Sequence, residues 1–277
     1  MTLIHWIGVP INIILNKLGY NIHRIKNETD TKYLAIIKEL EGVYKEFLFE
    51  DLPTNDEHRI HLMSKLEGTE PSEALYLLNY LYKSLELEGD VCEFGVANGA
   101  TSALIAHEIK RTDKCIWLFD SFKGLPAPSK KDILINDIYG LGSIEAYEGR
   151  MACPVESVSA KLNDINFPQS RTKIIPGFID ETISGSNLPK KVCFAYVDFD
   201  FYEPICTALN FLDTVLSANG FIMVDDYGFF SAGAKDAVDE FVDAKKGDYQ
   251  TYLPIKSAGR FCILKRLDKI DPIRNMQ

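Results

Sequence analysis

Two pairs of aspartates in the 277-residue sequence have the spacing of a cation site. Asp198 and Asp200 follow one apolar run, and Asp225 and Asp226 follow the next apolar run along the chain. If these runs are neighbouring parallel strands, four carboxylates meet at the same edge of a sheet. Two unit charges 4 Å apart repel by about 4 kcal/mol at an effective dielectric constant of 20, so the group needs raised pKa values or a cation. All-oxygen ligands favour Mg²⁺, Mn²⁺ or Ca²⁺ over zinc. The alternative is that these acids cap the helices that follow.

A glycine-containing turn follows an earlier apolar run. Gly95 and Gly99 let the backbone pass close to a ligand, and the helix predicted from residue 100 offers free N–H groups to an anion. Asp120 ends the next apolar run, where a carboxylate can accept hydrogen bonds from ribose hydroxyls. The turn lacks the GxGxxG sequence, so the pattern favours S-adenosylmethionine over a nicotinamide dinucleotide. Each feature also has a purely structural explanation: the glycines can be required by the shape of the turn, and Asp120 can stabilise a turn or cap a helix.

The elements that must position these residues alternate between strands and helices. Apolar runs predict seven strands, at 91–94, 115–119, 173–175, 192–197, 221–224, 251–255 and 260–264. Helical spacing of apolar residues predicts helices at 32–48, 72–88, 100–111, 203–217 and 233–245. Strands separated by helices predict an α/β fold with a mostly parallel sheet, and the short connection 256–259 predicts one antiparallel strand at the edge.

The predicted organisation has two parts. Residues 1–70 are expected to form a helical extension or lid, and residues 71–277 one doubly wound domain. The interval 121–172 is too long for a plain crossover, so we expect it to carry extra helices near the acceptor site. The apolar segment 3–18 is shorter than the roughly 20 residues that a membrane-spanning helix needs. We expect it to pack on protein, with an interfacial membrane anchor as the alternative.

Composition narrows the classes of function. The chain is 46% hydrophobic and 25% charged, as in globular proteins, and its formal net charge is −10. That charge disfavours nucleic acid as the main partner, because binding there depends on clustered Lys and Arg. The six cysteines form no CxxC pair, so the sequence has neither a zinc knuckle nor a dithiol redox motif. This cysteine usage predicts a reducing, cytoplasmic location.

Four motifs together resemble the macrocin O-methyltransferase family, whose members methylate sugar hydroxyls in antibiotic biosynthesis. The most specific is Asp-Ser-Phe-Lys-Gly-Leu-Pro at 120–126, and the others lie at 93–102, 198–203 and 224–228. Phe199 departs from the pattern, because family members often have Gly between the two acids. The resemblance implies a Rossmann-like class I methyltransferase fold, S-adenosylmethionine as methyl donor and a divalent ion, usually Mg²⁺.

The resemblance also implies roles for individual residues. Asp198, Asp225 and Asp226 match metal ligands, and Asp200 matches the general base. The predicted donor-binding residues are Glu93, Gly95, Gly99, Ser102, Asp120, Ser121, Gly177 and Phe178. The implied reaction is metal-assisted deprotonation of a hydroxyl on a sugar or another vicinal diol, followed by in-line methyl transfer.

Other functions stay open at this point. One is a metal-dependent glycosyltransferase of the DxD type, and another is a catalytically inactive methyltransferase-like subunit. The expected partner is a small-molecule or glycan acceptor, with a second copy of the chain in a homodimer also compatible with the sequence.

Overall fold

The computed structural model describes residues 22–268 and divides the chain into two compact units, Met1–Ser64 and Lys65–Gln277. The apolar segment 3–18 lies outside the described residues, so its packing on protein stays a prediction. Within 22–268, no helix combines the length and the apolar character needed to cross a membrane. The lid role of the N-terminal part also stays a prediction.

The described part of the first unit is a helical pair. Helix α1 spans Ile22–Phe47 and helix α2 spans Glu57–Met63. Asp56 caps α2, because its side chain accepts hydrogen bonds from two backbone N–H groups of the first turn. Arg59 of α2 and Glu41 of α1 form a buried ion pair, with Nη1 and Oε1 3.1 Å apart. This pair joins the two helices.

The second unit contains the sheet and the remaining helices. The strands are β1 Asp90–Phe94, β2 Ile116–Asp120, β3 Thr172–Pro176, β4 Val192–Val197, β5 Leu216–Val224, β6 Tyr249–Tyr252 and β7 Cys262–Arg266. The helices are α3 Pro71–Ser84, α4 Ala100–Ile109, α5 Val155–Asp164, α6 Ile179–Thr182, α7 Tyr202–Val215 and α8 Ala232–Ala244.

The sheet has the predicted seven strands, in the order β3-β2-β1-β4-β5-β7-β6. The first five strands in this order pair in parallel. Strand β7 runs antiparallel to β5 on one side and to the edge strand β6 on the other. The predicted adjacency of β4 and β5 is therefore confirmed, and both aspartate pairs lie at one edge of the sheet.

The core explains why these segments are strands. All six side chains of β4 are buried. The rings of Phe94 on β1 and Phe119 on β2 stack, with centroids 4.6 Å apart and planes 9° apart. Helices α7 and α8 pack against this core, and α3 packs against β4 and β5. Continuous burial accounts for the uninterrupted apolar runs.

The predicted bounds of the last two strands were wrong. The last two strands were expected at 251–255 and 260–264, but β6 ends at Tyr252 and β7 begins at Cys262. Pro254 has no N–H group to donate to a ladder, and Leu253 and Ile255 are exposed. The intervening residues therefore form a longer connection than the apolar run suggested.

The interval 121–172 is mostly irregular. It contains helix α5 and two short 3₁₀ helices, Glu145–Tyr147 and Gln169–Arg171. A second apolar cluster joins this interval to the loops that follow β4 and β5, and its buried members are Leu125, Ile144, Tyr147, Phe201 and Phe230. The cluster places the interval beside the carboxyl ends of the strands.

Candidate active site

A cavity of about 910 Å³ opens at the carboxyl ends of the parallel strands. Residues at or just after the ends of β1, β2, β4 and β5 line it, including Gly95, Asp120, Asp198 and Asp225. Ligands of open α/β sheets bind at this edge, and the volume lies at the upper end of the range for small-molecule sites.

Three carboxylates form a compact cluster in this cavity. Asp198, Asp200 and Asp226 each offer one oxygen, and these oxygens all lie within 4.8 Å of one another. Asp200 and Asp226 adopt left-handed backbone conformations, with φ of 61° and 54°. Aspartate tolerates this conformation better than most residues do, because its short polar side chain can form local hydrogen bonds. The backbone thereby turns both side chains towards Asp198.

Burial raises the pKa of all three carboxyl groups. For Asp198 and Asp226 the pKa rises well above its ordinary value, first because of burial and then because of repulsion from neighbouring aspartates. Burial is also the largest cause that raises the pKa of Asp200 to about 7. An all-oxygen set of mutually repelling carboxylates fits a hard divalent cation such as Mg²⁺, which would offset this repulsion.

The structure places Asp225 apart from this cluster, although sequence reasoning put it among the metal ligands. Its Oδ2 lies 2.9 Å from the Tyr196 hydroxyl, and its Oδ1 accepts a hydrogen bond of 2.7 Å from the Asp226 N–H. Asp225 still lines the cavity. The structure thus brings Asp200 to the other two aspartates, whereas Asp225 faces a buried network. Whether Asp225 ligates a cation stays a prediction.

Sequence reasoning missed Glu73, the third member of that network. Glu73 lies on α3 and is buried, and its Oε1 is 3.1 Å from the Tyr196 hydroxyl. Burial, followed by repulsion from Asp225, raises the pKa of Glu73 well above its ordinary value. Helical spacing gives no signal for it, because Leu75, Leu78 and Leu81 lie on the opposite face of the predicted helix, whereas α3 is buried on both faces.

Gly95 is the turn residue that the site requires. Its φ is 86°, and a Cβ built on it would lie 1.8 Å from the backbone oxygen of Asp198. Only glycine allows this approach between the loop after β1 and the end of β4. The Asp198 N–H also donates to the oxygen of Phe94, at 2.7 Å.

Asp120 organises the same loop. Its Oδ2 accepts from the N–H groups of Val96 and Ala97, at 2.7 and 2.9 Å, and its Oδ1 accepts from the N–H of Phe122, at 2.6 Å. A carboxylate has about four acceptor sites, so this one retains room for roughly one further hydrogen bond. Asp120 therefore acts as a turn carboxylate and still presents an oxygen site to the cavity that it lines.

The eight predicted donor-binding residues fall into two groups. Gly95, Asp120, Ser121 and Phe178 line the cavity. Glu93, Gly99, Ser102 and Gly177 lie outside its lining.

The second group supports the loops around the cavity. The Ser102 hydroxyl donates to the carboxylate of Glu93, where both are buried, and burial raises the Glu93 pKa to about 8. The Gly177 N–H donates to the Asp120 backbone oxygen at 3.0 Å. A Cβ on Gly99 would lie 2.9 Å from the Cα of Val158 on α5. Donor contacts by these residues stay a prediction.

The interval 121–172 supplies a further anchor that sequence reasoning missed. Asp132 is buried, and its Oδ1 accepts from the Tyr202 N–H at 2.9 Å and from the Ser231 hydroxyl at 3.0 Å. Its Oδ2 accepts from the N–H and the hydroxyl of Ser129, at 2.7 and 2.8 Å. Asp132 thus ties the interval to the start of α7 and to the loop before α8. No local sequence pattern distinguishes it from a surface aspartate.

Comparisons with curated proteins find O-methyltransferases. The chain is similar to 8-demethyl-8-(2,3-dimethoxy-alpha-L-rhamnosyl)-tetracenomycin-C 4'-O-methyltransferase of Streptomyces olivaceus, with 27% identity over 156 residues, 55% of this chain and 58% of the relative. It is also similar to demethyldecarbamoylnovobiocin O-methyltransferase of Streptomyces niveus, with 27% identity over 161 residues and the same two shares, 55% and 58%. The matches thus span 58% of the length of each relative.

Solved structures confirm the predicted fold class. The chain is similar to the O-methyltransferase NovP with a TM-score of 0.62 and 19% identity, over 86% of this chain and 100% of that chain. At this identity the likeness concerns the fold, which is the Rossmann-like class I methyltransferase fold. A family model described as Macrocin-O-methyltransferase (TylF) matches residues 79–254. Because this match covers more than half of the chain and includes both aspartate pairs, the chain belongs to the macrocin O-methyltransferase family.

Proposed function

We propose that the chain is an S-adenosylmethionine-dependent O-methyltransferase that acts on a hydroxyl of a sugar or another vicinal diol. We further propose that it uses a divalent cation, with Mg²⁺ first and Mn²⁺ or Ca²⁺ as alternatives. The observation that carries the proposal is that the aspartate cluster at the ends of β4 and β5 shares one cavity with Gly95 and Asp120. Family membership and the names of the curated relatives support the same reaction type.

The donor half of the cavity lies beside β1 and β2. Gly95 lines this half and lets the turn after β1 pass close to Asp198, and Asp120 offers its remaining acceptor site to a ribose hydroxyl. Phe178 lines the cavity after β3 and provides an aromatic face of the kind that adenine stacks on. Ser121 fixes the next turn, because its hydroxyl donates to the Gly124 oxygen at 2.8 Å.

The acceptor half lies beside β4 and β5. Asp198 and Asp226 belong both to the predicted ligand set and to the cluster in the structure, so we assign them as cation ligands. Asp225 is the third ligand that the family resemblance implies, and Asp200 is the third member of the geometric cluster. We assign Asp225 to the cation and Asp200 to the substrate proton, and the two alternatives are separated by the variants below.

Two bound groups would supply part of the chemistry. S-adenosylmethionine would supply an electrophilic methyl group on its sulfonium, and the cation would supply Lewis acidity at the acceptor hydroxyl. The protein must then orient the hydroxyl and receive its proton. Asp200 lines the cavity beside Asp226, so its carboxylate can accept the proton from a hydroxyl placed over the cluster. The walls of the cavity would hold the oxygen in line with the methyl group, and such positioning lowers the barrier to transfer.

The test is transfer of a labelled methyl group to a panel of diols, with and without EDTA. We expect EDTA to abolish transfer and Mg²⁺ to restore it, and we expect Asp198→Ala to remain inactive with Mg²⁺ present. Full activity in EDTA would overturn the cation role. Asp200→Asn should bind Mn²⁺ and S-adenosylhomocysteine as the wild type does but transfer methyl slowly, whereas Asp225→Asn should lose Mn²⁺ affinity. The opposite pattern would exchange the roles of these two residues.

A further inference from the structure

Asp200 lies at the centre of a strained backbone turn. Its φ is 61°, and the Phe201 N–H donates to the Phe199 oxygen across it, at 2.5 Å. A hydrogen bond between residues two apart, around a centre with positive φ, is that of a γ-turn in its rare and strained form. Such a turn persists only where the surrounding structure holds it firmly. The contacts of Phe199 and Phe201 therefore determine where the Asp200 carboxylate lies.

The residue after Asp200 is held by the second apolar cluster. Phe201 is buried, and its ring stacks on that of Phe230, with centroids 5.9 Å apart and planes 16° apart. The next residue fixes the backbone as well, because the Tyr202 N–H donates to Asp132 at 2.9 Å. This end of the turn is thus held by a packing contact and by a hydrogen bond.

The residue before Asp200 is held by the core of the sheet. The ring of Phe199 meets the ring of Phe94 edge to face, with centroids 5.9 Å apart and planes 70° apart, an arrangement that aromatic pairs favour. Phe94 is fully buried and stacks on Phe119, so it offers a firm support. Phe199 itself is only partly buried and lines the cavity. Its ring therefore joins the turn at the cavity to the core.

We propose that Phe199 is a positioning residue, whose ring on Phe94 holds the turn and thereby the Asp200 carboxylate that receives the substrate proton. Asp198 does not need this ring, because its own N–H donates to the Phe94 oxygen at 2.7 Å, directly after the buried strand β4. The residue that departs from the family pattern thus serves the general base and not the cation. This inference rests on the proposed function and concerns a residue to which that function assigns no role.

The first test is the kinetics of Phe199→Ala, with Phe211→Ala as the matched control. Phe211 of α7 also packs its ring on Phe94, with centroids 6.4 Å apart, but it does not line the cavity. Displacement of a reacting group by about 1 Å can cost about 100-fold in rate. We therefore expect Phe199→Ala to lower kcat by about tenfold or more, and Phe211→Ala to lower it by less than about threefold.

The same variants separate positioning from binding. In Phe199→Ala we expect the Mn²⁺ affinity and the KM for S-adenosylmethionine to stay within about threefold of the wild type. Equal losses of kcat in Phe199→Ala and Phe211→Ala would show a general loss of core packing and would overturn the proposal. A raised KM at unchanged kcat, or a lost Mn²⁺ affinity, would overturn it too, because the ring would then serve a ligand directly or serve Asp198.

A double-mutant cycle tests whether Phe199 acts through Asp200. In Asp200→Asn the positioned carboxylate is gone, so the addition of Phe199→Ala should change kcat by less than about twofold. A further tenfold loss of kcat in the double variant would show that Phe199 acts independently of Asp200, and the proposal would be wrong.

Amide exchange tests the turn itself without turnover. NMR should show that the Phe201 N–H exchanges about tenfold faster in Phe199→Ala than in the wild type, because its hydrogen bond to the Phe199 oxygen opens more often. Phe211→Ala should leave this exchange rate unchanged. An equal rate in the wild type and in Phe199→Ala would overturn the proposal even if no acceptor is methylated. Failure to bind S-adenosylhomocysteine would instead count against the proposed function.

Discussion

Replacement of Glu73 tests whether a buried network holds the cation cluster in place. The Tyr196 hydroxyl is within hydrogen-bond distance of both Glu73 and Asp225. A hydroxyl has one proton to donate, so both contacts are hydrogen bonds only when one carboxyl group also carries a proton. Burial raises the pKa of both Glu73 and Asp225, so such a proton belongs to the pair of carboxyl groups. Glu73→Gln keeps a donor, an acceptor and the shape of the side chain, whereas Glu73→Ala removes all three.

The magnitudes follow from these contacts. Loss of a buried hydrogen-bond partner costs about 1–3 kcal/mol, and each buried methylene contributes about 0.8 kcal/mol. We therefore expect Glu73→Ala to lower the free energy of unfolding by about 2–4 kcal/mol and Glu73→Gln by less than about 1 kcal/mol. Residues that orient metal ligands typically change metal affinity by 10- to 100-fold, so Glu73→Ala should weaken Mn²⁺ binding by about tenfold or more.

The assays are urea unfolding and calorimetric titration of EDTA-treated protein with Mn²⁺. Glu156→Ala is the matched control, because Glu156 is an exposed acid on α5 that does not line the cavity. Wild-type Mn²⁺ affinity in Glu73→Ala would show that Glu73 does not hold Asp225. Equal losses in Glu73→Ala and Glu73→Gln would show that the negative charge of Glu73, and not its hydrogen bonds, is what the site uses.

Three further predictions concern the backbone, the pH dependence and the interval 121–172. Gly95→Ala should lower methyl transfer and Mn²⁺ affinity together, because the Cβ of the new alanine would displace the Asp198 backbone. A calorimetric titration that gives the variant the Mn²⁺ affinity of the wild type would contradict this. In EDTA-treated protein, urea unfolding should show stability falling as the pH rises from about 4 to 7, since the pKa of Asp200, about 7 when folded, lies above its unfolded value. Added Mg²⁺ should then raise Tm more at pH 8 than at pH 5. An equal gain at both pH values would refute ionisation of Asp200 as the cause of the pH dependence. Asp132→Ala leaves the Tyr202 N–H without its acceptor, so this variant should lower the free energy of unfolding in urea by about 3 kcal/mol. Asp132→Asn keeps an acceptor oxygen and should recover part of that loss.

The sequence predicts the carboxyl ends of β1, β4 and β5 correctly because the physical signal there is strong. The run 192–197 is apolar at every position since β4 is buried on both sides, and the aspartates begin where burial ends. Parallel pairing of β4 and β5 then brings both pairs together, as the sheet order confirms. The turn at Gly95 can also be predicted from the sequence, because a close approach of two backbone segments requires glycine there.

The orientation of individual carboxylates could not be predicted in this way. Asp225 and Asp226 are adjacent in sequence, yet one faces Tyr196 and the other faces Asp198 and Asp200. This division depends on the left-handed backbone of Asp200 and Asp226 and on Glu73, which lies far away in sequence. Spacing along one chain segment carries no information about such a contact.

Crystals grown with Mn²⁺ and S-adenosylhomocysteine, measured at the manganese absorption edge, test the account most directly. The account predicts one anomalous peak in the cavity, with Asp198 and Asp226 oxygens at about 2.1 Å, a distance close to that of Mg²⁺ ligands. It also predicts the ribose of S-adenosylhomocysteine at Asp120 in the same cavity. A peak that lies elsewhere, or a cavity that binds S-adenosylhomocysteine but excludes Mn²⁺, would contradict it.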